Sequence, residues 1–308
     1  MLDQRIIVQQ PESPPNFKNF VSVITTFFNA EKFLAEAVES VLAQRNFDCW
    51  ELILVNDGSI DSSPLIAQSF ARDFKNKIRY FGHPENANLG ISASRNLGLR
   101  HALGEFVAFL DADDVWLEDK LSEQVQLLAQ HKKAAMVYGA AERWFDWQND
   151  SPQTSTDLAA PVPNVNFIVP ARLPGVETNV LLAPPQLLNA FLIDESLTPC
   201  TCAAIIRSDA LRSVGGLSDE FAGLYDDQVL YAKLAVRFPI YVADKCWARY
   251  RQHADSCCAT ARSDGTEKAE RLKFLRWLEN YLSAPGANAL ANESLRQTLE
   301  AEIFKVSV

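Results

Sequence analysis

A surplus of positive charge is missing from this chain of 308 residues: 29 Lys and Arg stand against 39 Asp and Glu, a net charge of −10. Proteins that grip a phosphate backbone do so with clustered cations that release its counterions, so nucleic acid is not the expected partner. Long apolar runs are missing as well. Stretches such as Phe106 to Leu110 fall far short of the roughly 20 residues that span a bilayer, and Met1 to Gln10 has no apolar segment of the secretory kind. The expectation is a soluble, cytoplasmic protein with no transmembrane span. The six cysteines lack doubled Cys-x-x-Cys spacing. Neither Cys200-Thr201-Cys202 nor Cys257-Cys258 fits a structural zinc site, and only four histidines are present to complement them. They read as reduced thiols packing as small hydrophobes. What is plentiful is apolar side chains, 48% with 18 Phe, beside 22% charged residues, and that balance excludes wholesale disorder. At this length the core divides between one large lobe or two fused ones.

The first twenty residues hold Pro11, Pro14 and Pro15 with little periodicity and read as an extended arm. From Val21 a strand-helix alternation begins. Strands at 21–25, 51–55, 78–81 and 105–110 each precede a helical pattern, at 30–44, 62–74, 92–102 and 118–130. Four such units in about a hundred residues imply a parallel sheet covered on both faces. Phe145 to Pro185 then carries seven prolines in 41 residues and no period, which marks a long connection or an excursion facing substrate. Regularity returns with a strand at 202–206, a helix at 226–238, strands at 240–243 and 247–250, and two helices at 266–282 and 289–304 separated by Pro285-Gly286. Leu272, Leu275, Leu278 and Leu282 form a stripe that packs on the body or on a second subunit, so a homo-oligomer is one expectation.

Ligands of an open parallel sheet bind beyond the carboxyl ends of its strands. Strand two ends in Asn56-Asp57-Gly58-Ser59 and strand four in Asp111-Ala112-Asp113-Asp114. Such residues also serve as turn formers and helix caps. Three carboxylates within four positions, however, repel one another and raise one another's pKa unless a cation neutralises them. Hard oxygen ligands suit magnesium or manganese, which keep positions open for substrate phosphates.

The blocks Val21-Ser22-Val23-Ile24, Asn29, Ser40-Val41-Leu42-Ala43-Gln44, Glu51 to Ser59, Asn88-Leu89-Gly90 with Ser94-Arg95-Asn96, and Phe109 to Asp114 follow one another in the order and spacing of the family 2 glycosyltransferases. The chain resembles that family over roughly its first 120 residues. The resemblance implies an α/β fold of the GT-A, Rossmann-like type, with a mostly parallel central sheet flanked by helices and a C-terminal helical extension. It divides the chain into an arm (1–20), a nucleotide-sugar half (21–118), an acceptor half (119–260) and the extension (261–308). It implies a hexosyltransferase-type enzyme that moves sugar from a nucleotide diphosphate donor, a UDP-sugar above all, with inversion. Thr26 and Asp57 would hold base and ribose, Asp57 accepting from the uracil ring. Arg95 would lie by the diphosphate, and Asp111, Asp113 and Asp114 would form the metal and ribose cluster, with Asp113 as first metal contact and Asp114 next. Where many relatives carry Pro-Thr-Tyr-Asn after strand one, this chain has Thr26-Phe27-Phe28-Asn29.

Further along, Gly215 to Glu220 followed by Tyr225-Asp226-Asp227-Gln228 resembles the family's Gly-Gly-Phe-Asp-Glu segment and its acidic pair. That makes Asp227 the catalytic base, although Asp226 stands where the family usually has Glu. Arg249 to His253 with Ser256 resembles a late Arg-x-His-x-x-Ser stretch, in which His253 would reach metal or diphosphate. His83, His101 and His131 match no motif. The acceptor would be a carbohydrate or a lipid-linked one, on a side lined by Phe145 to Pro185 and the loops near Leu197 to Cys202, with the enzyme at most peripheral to the inner membrane face. Two other readings stand beside this one. A sugar-phosphate nucleotidyltransferase needs a glycine-rich loop that Thr25 to Asn29 lacks. A non-catalytic carbohydrate-binding relative does not need the two acidic clusters that are intact here.

Overall fold

The computed structural model describes residues 18–145, 166–171, 173, 177–284, 286, 290 and 292–307. Most of the expected N-terminal arm, much of the proline-rich stretch, and Pro285 and Ala289 therefore lie outside the described residues. The first strand, β1 (Val21–Phe27), is buried along its whole length, as a strand covered on both faces must be. Its side chains alternate: Val21 and Val23 enter one apolar cluster, Ile24 the other. The second strand, β2 (Trp50–Asn56), repeats the pattern, Leu52 and Leu54 to one side and Ile53 and Val55 to the other. Helices α1 (Leu34–Leu42) and α2 (Ser63–Asp73) separate β1, β2 and β3 (Ile78–Gly82) in the chain. Helix α1 starts four residues later than its apolar stripe suggests, because Asn29 takes a left-handed φ of 49° and turns the chain first.

After α3 (Ile91–His101) come β4 (Phe106–Phe109), the short β5 (Val115–Trp116) and α4 (Lys120–Gln130). Strands β3, β2, β1 and β4 lie side by side in parallel. Leu99 and Ala102 of α3 and its end pack with the cluster on one face. Leu34, Ala67 and Leu121 of α1, α2 and α4 pack with the cluster on the other.

Beyond β4 the sheet changes character. Strand β6 (Met136–Trp144) is flanked by β7 (Phe167–Val169), and β8 (Val180–Leu182) leads into helix α5 (Gln186–Ile193). Strand β9 (Ala204–Arg207) is antiparallel to both β4 and β6 and joins the two halves of the sheet. After α6 (Ser208–Ser213) and α7 (Asp226–Ala235), the two strands expected at 240–243 and 247–250 prove to be one, β10 (Ile240–Arg251), whose register against β6 slips between Val242 and Cys246 and again before Ala248. The full order is β3-β2-β1-β4-β9-β6-β10-β5, with β7 beside β6 and β8 beside β10. Helices α8 (Cys257–Ser263), α9 (Glu267–Ser283) and α10 (Glu293–Ser307) complete the chain. Leu275, Leu278 and Leu282 of α9 are buried in the cluster that also holds residues of α5, α7 and α10, so the leucine stripe packs on the body. Among the described residues no helix is long and apolar enough to cross a membrane.

Candidate active site

The strand endings open into one cleft of about 1340 Å³, and Thr26, Asp57, Arg95, Asp111, Asp113, Asp114, Asp226, Asp227 and His253 all line it. Thr26 lies near the end of β1 and Asp57 follows β2, in line with the rule for open parallel sheets. The turn after β2 is fixed by its backbone. Gly58 has φ +83°, and a Cβ there would sit 2.8 Å from Asn86 O and Asn88 N, so only glycine fits. That closeness brings the next turn against Asp57, whose Oδ1 accepts from Leu89 N at 2.9 Å and Gly90 N at 3.2 Å. Asp57 is thereby oriented by backbone donors, with its second oxygen left without a hydrogen bond among the described residues.

The loop after β4 holds the other carboxylates at three depths. Asp111 and Asp113 are part-exposed, at 28% and 29%, whereas Asp114 is 1% exposed. Asp114 Oδ1 accepts from Arg251 N at 2.9 Å, and Arg251 Nε donates to Asp113 O at 2.6 Å. The Arg251 guanidinium also pairs with Glu36 and lies 4.3 Å from the centre of the Trp144 ring. Strand β10 thus clamps the loop. Burial drives the Asp114 carboxyl well above the usual range, and Asp113, Cys200 and Asp111 push it the same way.

Asp113 Oδ2 lies 2.9 Å from His253 Nε2, while His253 Nδ1 is buried without a hydrogen-bond partner among the described residues. The His253 ring packs 4.9 Å from Phe33. A part-exposed carboxylate and an imidazole nitrogen converging at the cleft wall are two donors that suit a divalent ion, while Asp111 is paired with Arg95. Asp114 is a deeper strut, one of its oxygens already occupied by backbone.

The acid pair divides its tasks. Arg95, 3% exposed, forms ion pairs with both Asp111 and Asp226, and so ties α3, the β4 loop and the start of α7 together. Burial opposes its charge, but those two carboxylates overcome that and hold it protonated. Arg95 is therefore occupied by acids. Burial pushes Asp226 up to about 7, against the pull of Arg95, with Asp227 and Asp111 adding repulsion. Asp227 makes no such ion pair among the described residues. Its Oδ1 accepts from Gln228 N at 2.7 Å and its Oδ2 from Thr201 Oγ1 at 3.5 Å. Its pKa is also raised, by burial first, with Arg95 pulling it down. The chain enters α7 through Tyr225 in a left-handed conformation, φ 67°, which sets this pair at the helix N-terminus.

Of three further residues at or beside the cleft, His83 matches no motif, while Thr201 and Cys200 belong to the loop near Leu197 to Cys202 expected on the acceptor side. His83 is buried, donates to or accepts from Ser94 Oγ at 2.7 Å and lies 3.6 Å from Asp57 Oδ1, although it matches no motif. Thr201 touches Asp227, and Cys200, read from sequence as a packing thiol, lines the cleft next to Asp114. Of the proline-rich stretch, Val169 is among the cleft-lining residues.

Residues 22–214 match the model of the family described as "Glycosyl transferase family 2". Among curated proteins, the minor teichoic acid biosynthesis protein GgaB of Bacillus subtilis is 37% identical over 200 residues, 65% of this chain and 19% of that protein. The putative teichuronic acid biosynthesis glycosyltransferase TuaG of the same organism is 38% identical over 125 residues, 40% of this chain and 48% of TuaG. The chain therefore spans less than half the length of these relatives. Among solved structures, S. aureus TarS 1–349 in complex with UDP-GlcNAc superposes with TM-score 0.63 at 19% identity, covering 93% of this chain and 72% of that one. The mannosyltransferase PcManGT of Pyrobaculum calidifontis, in complex with GDP-Man and Mn2+, gives 0.60 at 17% identity, covering 92% and 69%. Those likenesses establish the fold.

Proposed function

The chain belongs to glycosyl transferase family 2, and from that premise we propose that it moves a sugar from a UDP-sugar, with inversion, to an acceptor hydroxyl during polysaccharide, glycolipid or glycoconjugate synthesis. The observation that carries the reading is the division of the acid pair: Asp226 is bound to Arg95, while Asp227 keeps a carboxylate held, among the described residues, by a backbone N–H and a hydroxyl. An inverting displacement needs one carboxylate to take the proton of the attacking hydroxyl, and Asp227 fills that role. Asp226 and Arg95 position it.

Asp57 offers a hydrogen-bond acceptor that suits the ring N–H of uracil, with Thr26 beside it on the cleft wall. Asp113 and His253 would hold a divalent ion, manganese or magnesium, with Asp111 directed to the ribose side and Asp114 supporting the loop. Such an ion, when bound, stabilises negative charge on a leaving diphosphate. The relatives named for teichoic and teichuronic acid synthesis favour an acceptor in polymer synthesis.

The test is nucleotide release from UDP-sugars and GDP-sugars, with and without EDTA. Release of UDP that needs added manganese or magnesium supports the proposal. Binding of donor without any metal-dependent release would favour the non-catalytic carbohydrate-binding reading, and pyrophosphate release from a nucleoside triphosphate with sugar phosphate would favour a nucleotidyltransferase.

A further inference from the structure

Cys200 and Cys202 flank Thr201, the residue whose hydroxyl meets Asp227. Their Sγ atoms lie 3.2 Å apart, inside ordinary contact between two sulfurs, and Asp114 Oδ completes a group whose atoms all fall within 4.8 Å. Cys200 faces the cleft, whereas Cys202 is wholly buried. From this juxtaposition we propose that Cys200 and Cys202 form a reversible dithiol–disulfide centre, oxidised by a hydroperoxide entering the cleft, which switches the transferase off. The switching, unlike the bond itself, rests on the reading of Asp227 as base.

The arrangement favours redox chemistry over a bound soft metal. Lys120 is buried just beneath. It donates from Nζ to Ala204 O at 3.0 Å, and burial brings its pKa down to about 7 against the opposing pull of Cys202 and Cys200. The Cys202 thiol is held well above its ordinary value by its hydrogen bond with Cys200 and by burial, which disfavours the thiolate that a soft metal needs. The adjacent Cys257 and Cys258 are less suited to bond with each other, because they turn to different partners: Cys258 Sγ accepts from Tyr250 OH at 3.8 Å, and Cys257 Sγ lies against Gly223.

The step balances. The Cys200 thiolate attacks one oxygen of the hydroperoxide, the O–O bond breaks, and the departing oxygen leaves as water or alcohol after taking up a proton. The sulfenic acid so formed is attacked by the Cys202 sulfur, the S–O bond breaks, and a second water leaves with the remaining proton as the S–S bond forms. Two thiols have lost two electrons and the peroxide has gained them. Closing the sulfurs from 3.2 Å to about 2.05 Å must move the turn that carries Thr201. That displaces the hydroxyl from Asp227 and disturbs the packing around Asp114.

The protein is treated with hydrogen peroxide, free thiols are capped with N-ethylmaleimide, and peptides are mapped by mass. The expected result is a Cys200–Cys202 link about 2 Da lighter than the dithiol. Transfer should fall about tenfold or more, as small displacements at a reacting centre do, and return with dithiothreitol. Cys202→Ala, with a melting curve matched to the wild type, should keep basal transfer and resist peroxide. A map showing both thiols capped after treatment, or a link at Cys257–Cys258 instead, overturns the centre. A Cys200–Cys202 link with undiminished transfer overturns the switch, and so does peroxide inactivation of Cys202→Ala. If no transfer is found under any condition, the map still decides the bond, so failure of the switch and failure of the transferase reading are told apart.

Discussion

The two halves of the cleft, which we assign to donor and acceptor, are built by different means. In the donor half, Thr26, Asp57 and the Asp111 to Asp114 loop are placed by the ends of buried parallel strands, and the partners of Asp57 are backbone amides of a neighbouring turn. In the acceptor half, position depends on charged side chains reaching across the chain. Arg95 meets Asp226 from 131 residues away, and Arg271 of α9 bonds to Gln228 and to Leu192 O. A strand ending tolerates the loss of one side chain. An ionic knot does not, because each partner left behind is a buried charge.

Removing the metal side of the donor half should have the largest effect. Asp113→Ala should lower UDP-sugar turnover by about 10³-fold or more, the order expected when transition-state charge loses its stabiliser. The folded state should persist, since one of three crowded carboxylates is gone. EDTA should abolish turnover of the wild type similarly. Near-normal activity of Asp113→Ala in saturating manganese would contradict the metal role.

Arg95→Met sharpens the comparison between halves directly. It strips the counter-ion from Asp111 and Asp226 at once, so the variant should lose about 3–5 kcal/mol of stability, the cost of breaking a buried pair, read from urea denaturation. A midpoint unchanged from wild type would show that the halves are not joined there. Gly58→Ala breaks the donor half alone. Its left-handed backbone and the atoms within 3 Å of the added Cβ should cost about 1–3 kcal/mol, and the affinity for UDP should fall with it.

The smallest effect is expected at Thr201. Thr201→Val removes a hydrogen bond that favours charged Asp227, so the carboxyl should titrate still higher. A base works unprotonated, and burial already raises this one, so the wild-type acid limb of kcat/KM should lie above the ordinary carboxylate value of about 3.9. The variant's limb should move to higher pH, with transfer reduced a few-fold at neutrality. A limb that stays put would remove Thr201 from the site.

The two halves were unequally legible in the amino-acid sequence. Strands β1 to β4 and their helices could be read because each is a local apolar pattern, and the carboxylates were found because they follow those patterns directly. The single long strand β10 was read as two, since the register slip near Cys246 interrupts its alternation. Strand β6 and helix α5 were not foreseen: β6 mixes Gly139, Ala140 and Glu142 into its pairing, and α5 follows Pro184-Pro185 in a stretch that reads as connection. The acidic pair could be located by its motif, but the assignment of Arg95 to Asp226 rests on folding α3 against α7, for which no local pattern exists. His83 was invisible for the same reason, a common residue made specific by its neighbours.

The account stands or falls on the split within the acid pair. Asp226→Asn and Asp227→Asn, both isosteric, should be compared for UDP-sugar binding and for single-turnover sugar transfer. Asp227→Asn should bind donor as the wild type does and lose transfer by about a hundredfold or more, the contribution of a general base. Asp226→Asn should be less stable, through its lost pairing with Arg95, yet transfer sugar at a rate far closer to wild type. Normal transfer by Asp227→Asn together with failure of Asp226→Asn would contradict the account and move the base to the residue bound by Arg95.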